Sequence, residues 1–180
     1  MSIVNSIPTI FKGVKLFELN EFHDERGSFK EVLNQNILSA IDKNINFVQD
    51  NESYSKHGVL RGLHYQESPY QQSKLIRVSL GAIQDVIVDI DKTSETYGRW
   101  ESYQISSKNN RILFIPEHFA HGFLVLSDEA IINYKVNEYY NKASESGIKY
   151  NDKNLNINWE LDNSEIIVNK KDMNYPDFIK

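Results

Sequence analysis

The sequence predicts an all-β fold: an antiparallel jelly roll with a few short peripheral helices. Three observations lead there. Short runs rich in Val, Ile, Phe and Tyr succeed one another through the middle of the chain, broken by polar turns. A helical repeat of apolar residues is clear in one segment only, where Ile37, Leu38 and Ile41 recur at helical spacing within residues 34–41. Parallel strands would need longer crossovers between them, usually helical, and these are missing. The 4 prolines and 8 glycines are scattered and mark no linker, so one domain over residues 1–180 is expected.

The elements follow in order. Residues 3–19 read as a strand-like start. After the helix, strands are predicted at 47–51, Val59–Gln66, 75–80, Ala82–Asp89, 100–105, Arg111–Ile115, 121–127 and 130–138. Gly81 and the Ser127-Asp128-Glu129 run are tight-turn candidates. Beyond Tyr140 the pattern loosens, and 152–159 and 172–178 read as short irregular pieces packed on something larger.

Composition narrows the function. With 20 basic against 25 acidic residues the net charge is −5, so a broad basic surface for nucleic acid is not expected. There is no cysteine, which removes disulfides, thiolate nucleophiles and sulfur-ligated metals. No run approaches the roughly 20 apolar residues of a membrane-spanning helix. Residues 1–11 have neither a basic start nor a long apolar run, so no leader is predicted and the expected location is the cytoplasm.

Period-two alternation then sorts side chains by face. Lys74 shares its face with Ile76, Val78 and Leu80. Tyr134 shares one with Ile132 and Val136, and His64 with Leu60 and Gly62. One histidine on an apolar face is ordinarily a hydrogen-bonded core residue. Proton-active groups on three such faces point instead to a polar network or a ligand cavity inside the barrel. Parity separates Arg61 from His64. Either Gly62 marks a bulge, or Arg61 serves the strand rim or a neighbouring subunit. Jelly rolls include the cupins, which commonly hold metal through a His-x-His pair. His64 has no such companion, and His118 and His121 suit a turn better, so no metal is predicted.

Several segments together are specific. They are Phe-His-Asp-Glu-Arg-Gly-Ser-Phe at 22–29, Phe-Val-Gln-Asp-Asn at 47–51, Val-Leu-Arg-Gly-Leu-His-Tyr-Gln at 59–66 and Lys-Leu-Ile-Arg at 74–77. Asp-Val-Ile-Val-Asp follows at 85–89 and Ile-Pro-Glu-His-Phe-Ala-His-Gly-Phe at 115–123. Tyr134-Lys135, Tyr139-Tyr140 and Lys171-Asp172 complete the set. In this order, across nearly the whole chain, they resemble the dTDP-4-dehydrorhamnose 3,5-epimerases, metal-free cupins of deoxysugar biosynthesis. Ser28, Tyr65 and the stretch 67–73 depart from the family pattern.

The resemblance implies a nucleotide-linked 4-keto-6-deoxyhexose as substrate and inversion at C3 and C5. No cofactor is implied, because the substrate's ketone is the electron sink. His64 matches the general base, and Asp172 the carboxylate that orients it. From the residues alone Asp85 is a competing orienter. Lys74 matches the group that holds the enolate oxygen, and Tyr134 the acid that returns a proton to the other face. Arg26 and Arg61 match diphosphate contacts. Glu31, Gln49 and Asn51 match nucleotide or sugar contacts, and Phe22 and Tyr139 aromatic surfaces. His121, Glu145 and Lys171 also fall on ligand-contact positions. The family further implies a homodimer with exchange of N-terminal strands. Other readings stay open: a C3-only or C5-only epimerase or ketoisomerase on a related sugar such as a GDP-linked heptose, a non-catalytic nucleotide-sugar-binding cupin, and a metal-dependent cupin.

Overall fold

Residues 3–179 are described by a computed structural model. The first strands are β1 (Ile3–Ile7), β2 (Lys15–Leu19) and the short pair β3 (Phe22–Asp24) and β4 (Gly27–Phe29), followed by helix α1 (Gln35–Ile41). The central strands are β5 (Gln49–Lys56), β6 (Val59–Gln66), β7 (Lys74–Leu80), β8 (Ala82–Asp89) and β9 (Trp100–Ser106). Then come β10 (Arg111–Ile115), β11 (Phe119–Val125), β12 (Glu129–Val136), β13 (Glu145–Gly147), β14 (Ile167–Val168) and helix α2 (Lys170–Met173).

One sheet has the order β1-β2-β10-β7-β12-β5 and the other β13-β6-β11-β8-β9, with β14 running parallel to β6. The predicted jelly roll is therefore present. Three strands lie off their expected positions by two residues or more at an end, one of them the strand expected at 130–138, which is Glu129–Val136. The strand expected at 47–51 begins two residues later and runs to Lys56, because β12 pairs with it from Val136↔Gln49 through Glu129↔Lys56. The one expected at 121–127 is Phe119–Val125, paired with β8 along its whole length.

Alternation divides the apolar residues among three layers. Leu16, Ile76, Leu113, Ile115 and Ile132 of the first sheet meet Ile83, Ile87, Ile105, Phe123 and Val125 of the second, forming the core between them. On the outer side of the first sheet, α1 lays Ile37 and Ile41 on Phe17, Leu19, Leu75, Ile112 and Phe114. That helix starts where Asn34 accepts the Ile37 amide at 3.0 Å, a side-chain cap. The outer side of the second sheet, through Leu63, Val86, Val88 and Ala120, is covered by Ile148, Leu155 and Phe178. Both faces of β8 are thus buried, which explains its unbroken apolar run. Fully burying each such aliphatic side chain contributes about 1.5–3 kcal/mol.

Candidate active site

The site begins with an irregularity in β6. Pairing with β11 runs His64↔His121, then Arg61↔Phe123, so three steps on one strand match two on the other. This is a β-bulge, and it resolves the parity conflict: Arg61 and His64 line the same cavity. Gly62 makes it possible. Its φ is +136°, and a Cβ there would lie 2.4 Å from the Gly122 Cα. Only glycine permits that backbone and that approach.

His64 is oriented from outside its own sheet. Its Nε2 lies 2.9 Å from Asp172 Oδ1, while Asp172 Oδ2 accepts the Gly62 amide at 3.1 Å. Asp172 belongs to α2, whose cap Asn169 accepts the Asp172 amide at 2.8 Å. Asp172 is fully buried. Burial alone would push its carboxyl up, but His64, the Gly62 amide and the Asn169 side chain outweigh that and hold it below the usual range. An ionised carboxylate only accepts, so the His64 proton sits on Nε2 and Nδ1 carries the lone pair. Asp85, the competing orienter, faces a different histidine: its Oδ2 lies 2.9 Å from Nε2 of His121.

The cavity holds about 290 Å³ between the two sheets. His64 and His121 face it from the second sheet, and Lys74 and Tyr134 from the first. Lys74 is buried, and its Nζ donates to the His64 carbonyl at 3.3 Å. Desolvation lowers its pKa to about 8 against the attraction of Asp85. Burial likewise lowers the His121 pKa despite Asp85, with Lys74 and His64 adding to the fall. Burial raises the Tyr134 phenol, which Arg61 partly offsets. At the rim Glu145 accepts from Lys171 and from the Tyr140 hydroxyl. Burial raises the Glu145 carboxyl, but those partners outweigh it and leave it lowered.

Other predicted residues stand in different places. Gln49 and Asn51 are on β5 opposite Val136 and Tyr134, so they share the Tyr134 face, and the Gln49 amide donates to Asn51 at 2.7 Å. Phe22 and Arg26 lie on or in the turn of the exposed β3-β4 hairpin, and Glu31 just after it, all outside the cavity of this chain. Arg26 there grips its own Asp24. Tyr139 is exposed, and it is the adjacent Tyr140 that lines the cavity. Sequence reasoning also missed Ser53, Gln66 and Gln72 in the wall. Ser53 was legible in principle, two residues from Asn51 on the same strand face. Tyr175, whose ring meets His64 edge-on at 5.7 Å, carried no pattern at all. Among the described residues no group of His, Asp and Glu is arranged to hold a metal, and no helix is long and apolar enough to cross a membrane.

Comparison with known proteins covers nearly the whole chain. The family model for dTDP-4-dehydrorhamnose 3,5-epimerase matches residues 8–180. The Shigella flexneri protein of that name is 48% identical over 177 residues, 98% of this chain and 97% of the relative. A crystal structure of the Bacillus anthracis enzyme with TDP and pyrophosphate bound superposes with a TM-score of 0.92 at 44% identity, covering 97% of this chain and 99% of that one. A Legionella pneumophila structure in complex with dTDP-4-keto-L-rhamnose gives 0.91 at 41% identity, covering 96% and 92%. The likeness extends over the whole chain and includes both sheets of the cavity, so this chain belongs to the dTDP-4-dehydrorhamnose 3,5-epimerase family.

Proposed function

We propose that this chain inverts C3 and C5 of a dTDP-4-keto-6-deoxyhexose, converting dTDP-4-dehydro-6-deoxy-D-glucose to dTDP-4-dehydro-L-rhamnose, with His64, Asp172, Lys74 and Tyr134 as its catalytic set. One observation carries the assignment of roles: the base candidate and the acid candidate project into one cavity from facing sheets. A sugar ring held between them meets a base on one face and a phenol on the other, as inversion requires.

The chemistry follows from the ketone. Hydrogens on C3 and C5 are acidic because loss of either leaves an enolate. Nδ1 of His64 takes the proton, and Asp172 stabilises the imidazolium that forms. The ammonium of Lys74 balances the charge growing on the enolate oxygen. With a pKa of about 8 it is roughly ten to one protonated at pH 7. Tyr134 stays a phenol at that pH and returns a proton from the opposite side; the carbon ends inverted and the enolate collapses to the ketone. His64 then gives its proton to water and the Tyr134 phenolate takes one from water before the second centre reacts. A positioned base contributes ~10²–10⁴-fold and a preorganised oxyanion donor ~10²–10³-fold.

Arg61, His121, Glu145, Lys171, Gln49 and Asn51 serve as contacts for the nucleotide sugar, guanidinium forks suiting phosphate oxygens. Phe22, Arg26 and Glu31 act in a neighbour's cavity within a homodimer. The exposed aromatics Phe22 and Phe29 on the β3-β4 hairpin favour that, since covering them needs a partner surface. β1 lies at a sheet edge on its own β2, and we place its exchange with a partner at the same contact. A monomeric mass in solution would remove the dimer.

The test of the reaction is incubation with dTDP-4-keto-6-deoxyglucose in D₂O, followed by NMR. Deuterium is expected at both C3 and C5. Exchange at C3 alone would make this a single-centre epimerase, and no exchange at all would refute the proposed substrate.

A further inference from the structure

The residue that orients His64 is itself held by a strap. Residues 169–179 run from α2 across the outer side of the second sheet, and their far end is clamped. Phe178 is buried there against Leu63, Val88 and Leu155, and its ring meets Tyr97 at 5.1 Å. Its amide donates to Asp152 Oδ2 at 2.7 Å, and its carbonyl accepts from the Asn154 side chain at 2.8 Å. The Lys149 amide donates to the Pro176 carbonyl at 3.2 Å. Between clamp and α2 lies Tyr175, seated on Gly147 so closely that a Cβ there would come within 2.6 Å of its ring.

Asp152 is an unusual clamp. It is 2% exposed, and its three side-chain partners are backbone amides: Asn154 and Leu155 at 2.8 Å on Oδ1, and Phe178 on Oδ2. The first two close a local turn that an uncharged acceptor would serve as well. The third reaches 26 residues along the chain and is the direct tie to the strap. Asp172 is six residues before it and has to meet a histidine on another element to within hydrogen-bond distance. A misplacement of about 1 Å in such a group costs up to ~10²-fold in rate.

We propose that Asp152 is a positioning residue for the reaction: by fixing Phe178 it anchors the strap from which Asp172 reaches His64. The proposal rests on the role given above to the His64–Asp172 pair. Asp152→Asn tests it, because asparagine keeps one oxygen for the turn amides and puts an NH₂ where the Phe178 amide needs an acceptor. Three changes are expected. Amide exchange in residues 170–179 accelerates. Long-range ¹H–¹⁵N spectra show the His64 proton no longer confined to Nε2. The kcat falls ~10- to 10²-fold with little change in KM. In an Asp172→Asn background the same substitution adds no further loss, whereas a merely structural role gives losses that multiply. Unchanged exchange and tautomer, or multiplying losses, overturn the proposal.

If Asp152→Asn does not fold, truncation after Asp177 removes the same amide and is held to the same outcomes. Should the unmodified enzyme fail to turn over the dTDP-sugar, the proposed function falls. The tautomer and exchange measurements then still decide the strap.

Discussion

Lys74→Met separates a catalytic lysine from a structural one. Wild-type Lys74 is 8% exposed and its pKa falls from 10.5 to about 8 because burial outweighs the pull of Asp85. That fall corresponds to about 3 kcal/mol against the charged form below pH 8. The native chain releases this proton near pH 8, while the unfolded chain keeps it to about 10.5. Between those values the unfolded state binds more protons, so stability rises with pH across that window. Methionine keeps the apolar stem and removes the charge. It forfeits one hydrogen bond, to the His64 carbonyl, worth roughly 1.5–3 kcal/mol for a charged donor. The net expectation at pH 7 is unchanged or slightly raised stability, by up to about 1.5 kcal/mol. Turnover should nevertheless drop ~10²–10³-fold, as for loss of an oxyanion donor. Urea melts at pH 7 and pH 9.5, with NMR-monitored turnover, read both quantities. A clear loss of stability at pH 7 would show that the ammonium is structural. Activity within tenfold of wild type would refute its part in stabilising the enolate.

Two further outcomes follow from the geometry. Tyr134→Phe should lose inversion more than hydrogen exchange at the same carbon, because proton removal by His64 survives; equal losses measured in D₂O would end the separate-donor assignment. Gly62→Ala should lower stability by several kcal/mol and abolish activity, since its Cβ would sit 2.4 Å from Gly122 at a φ of +136°. A soluble, active variant with a normal melting temperature would show that the bulge adapts.

Much of this was legible in one dimension. Alternation put Lys74 and Tyr134 on apolar strand faces, and the structure has both facing the same cavity. Strand pattern without crossover helices implied antiparallel sheets, and the spacing of Ile37, Leu38 and Ile41 marked the helix. What stayed hidden depended on distance along the chain. Strand parity left two readings for Arg61, a bulge at Gly62 or a place at the rim or in a neighbour, and the packing of Gly62 on Gly122 decides for the bulge. Tyr139 and Tyr140 are equivalent as letters, but only the second reaches Glu145.

The sequence by itself determined the strands, the burial of their alternate faces and the residue types able to move a proton. Those depend on the period of the backbone and on neighbours two to four positions away. The residues by themselves left Asp85 and Asp172 as rivals for His64, the family resemblance favoured Asp172, and the tertiary structure pairs each carboxylate with its own histidine. Asp85 goes to His121 because β8 and β11 pair side by side, while Asp172 reaches His64 from 108 residues away on a strap clamped at its far end. A hydrogen bond depends on separation in space to a few tenths of an ångström, and local chain periodicity cannot encode that between elements so far apart.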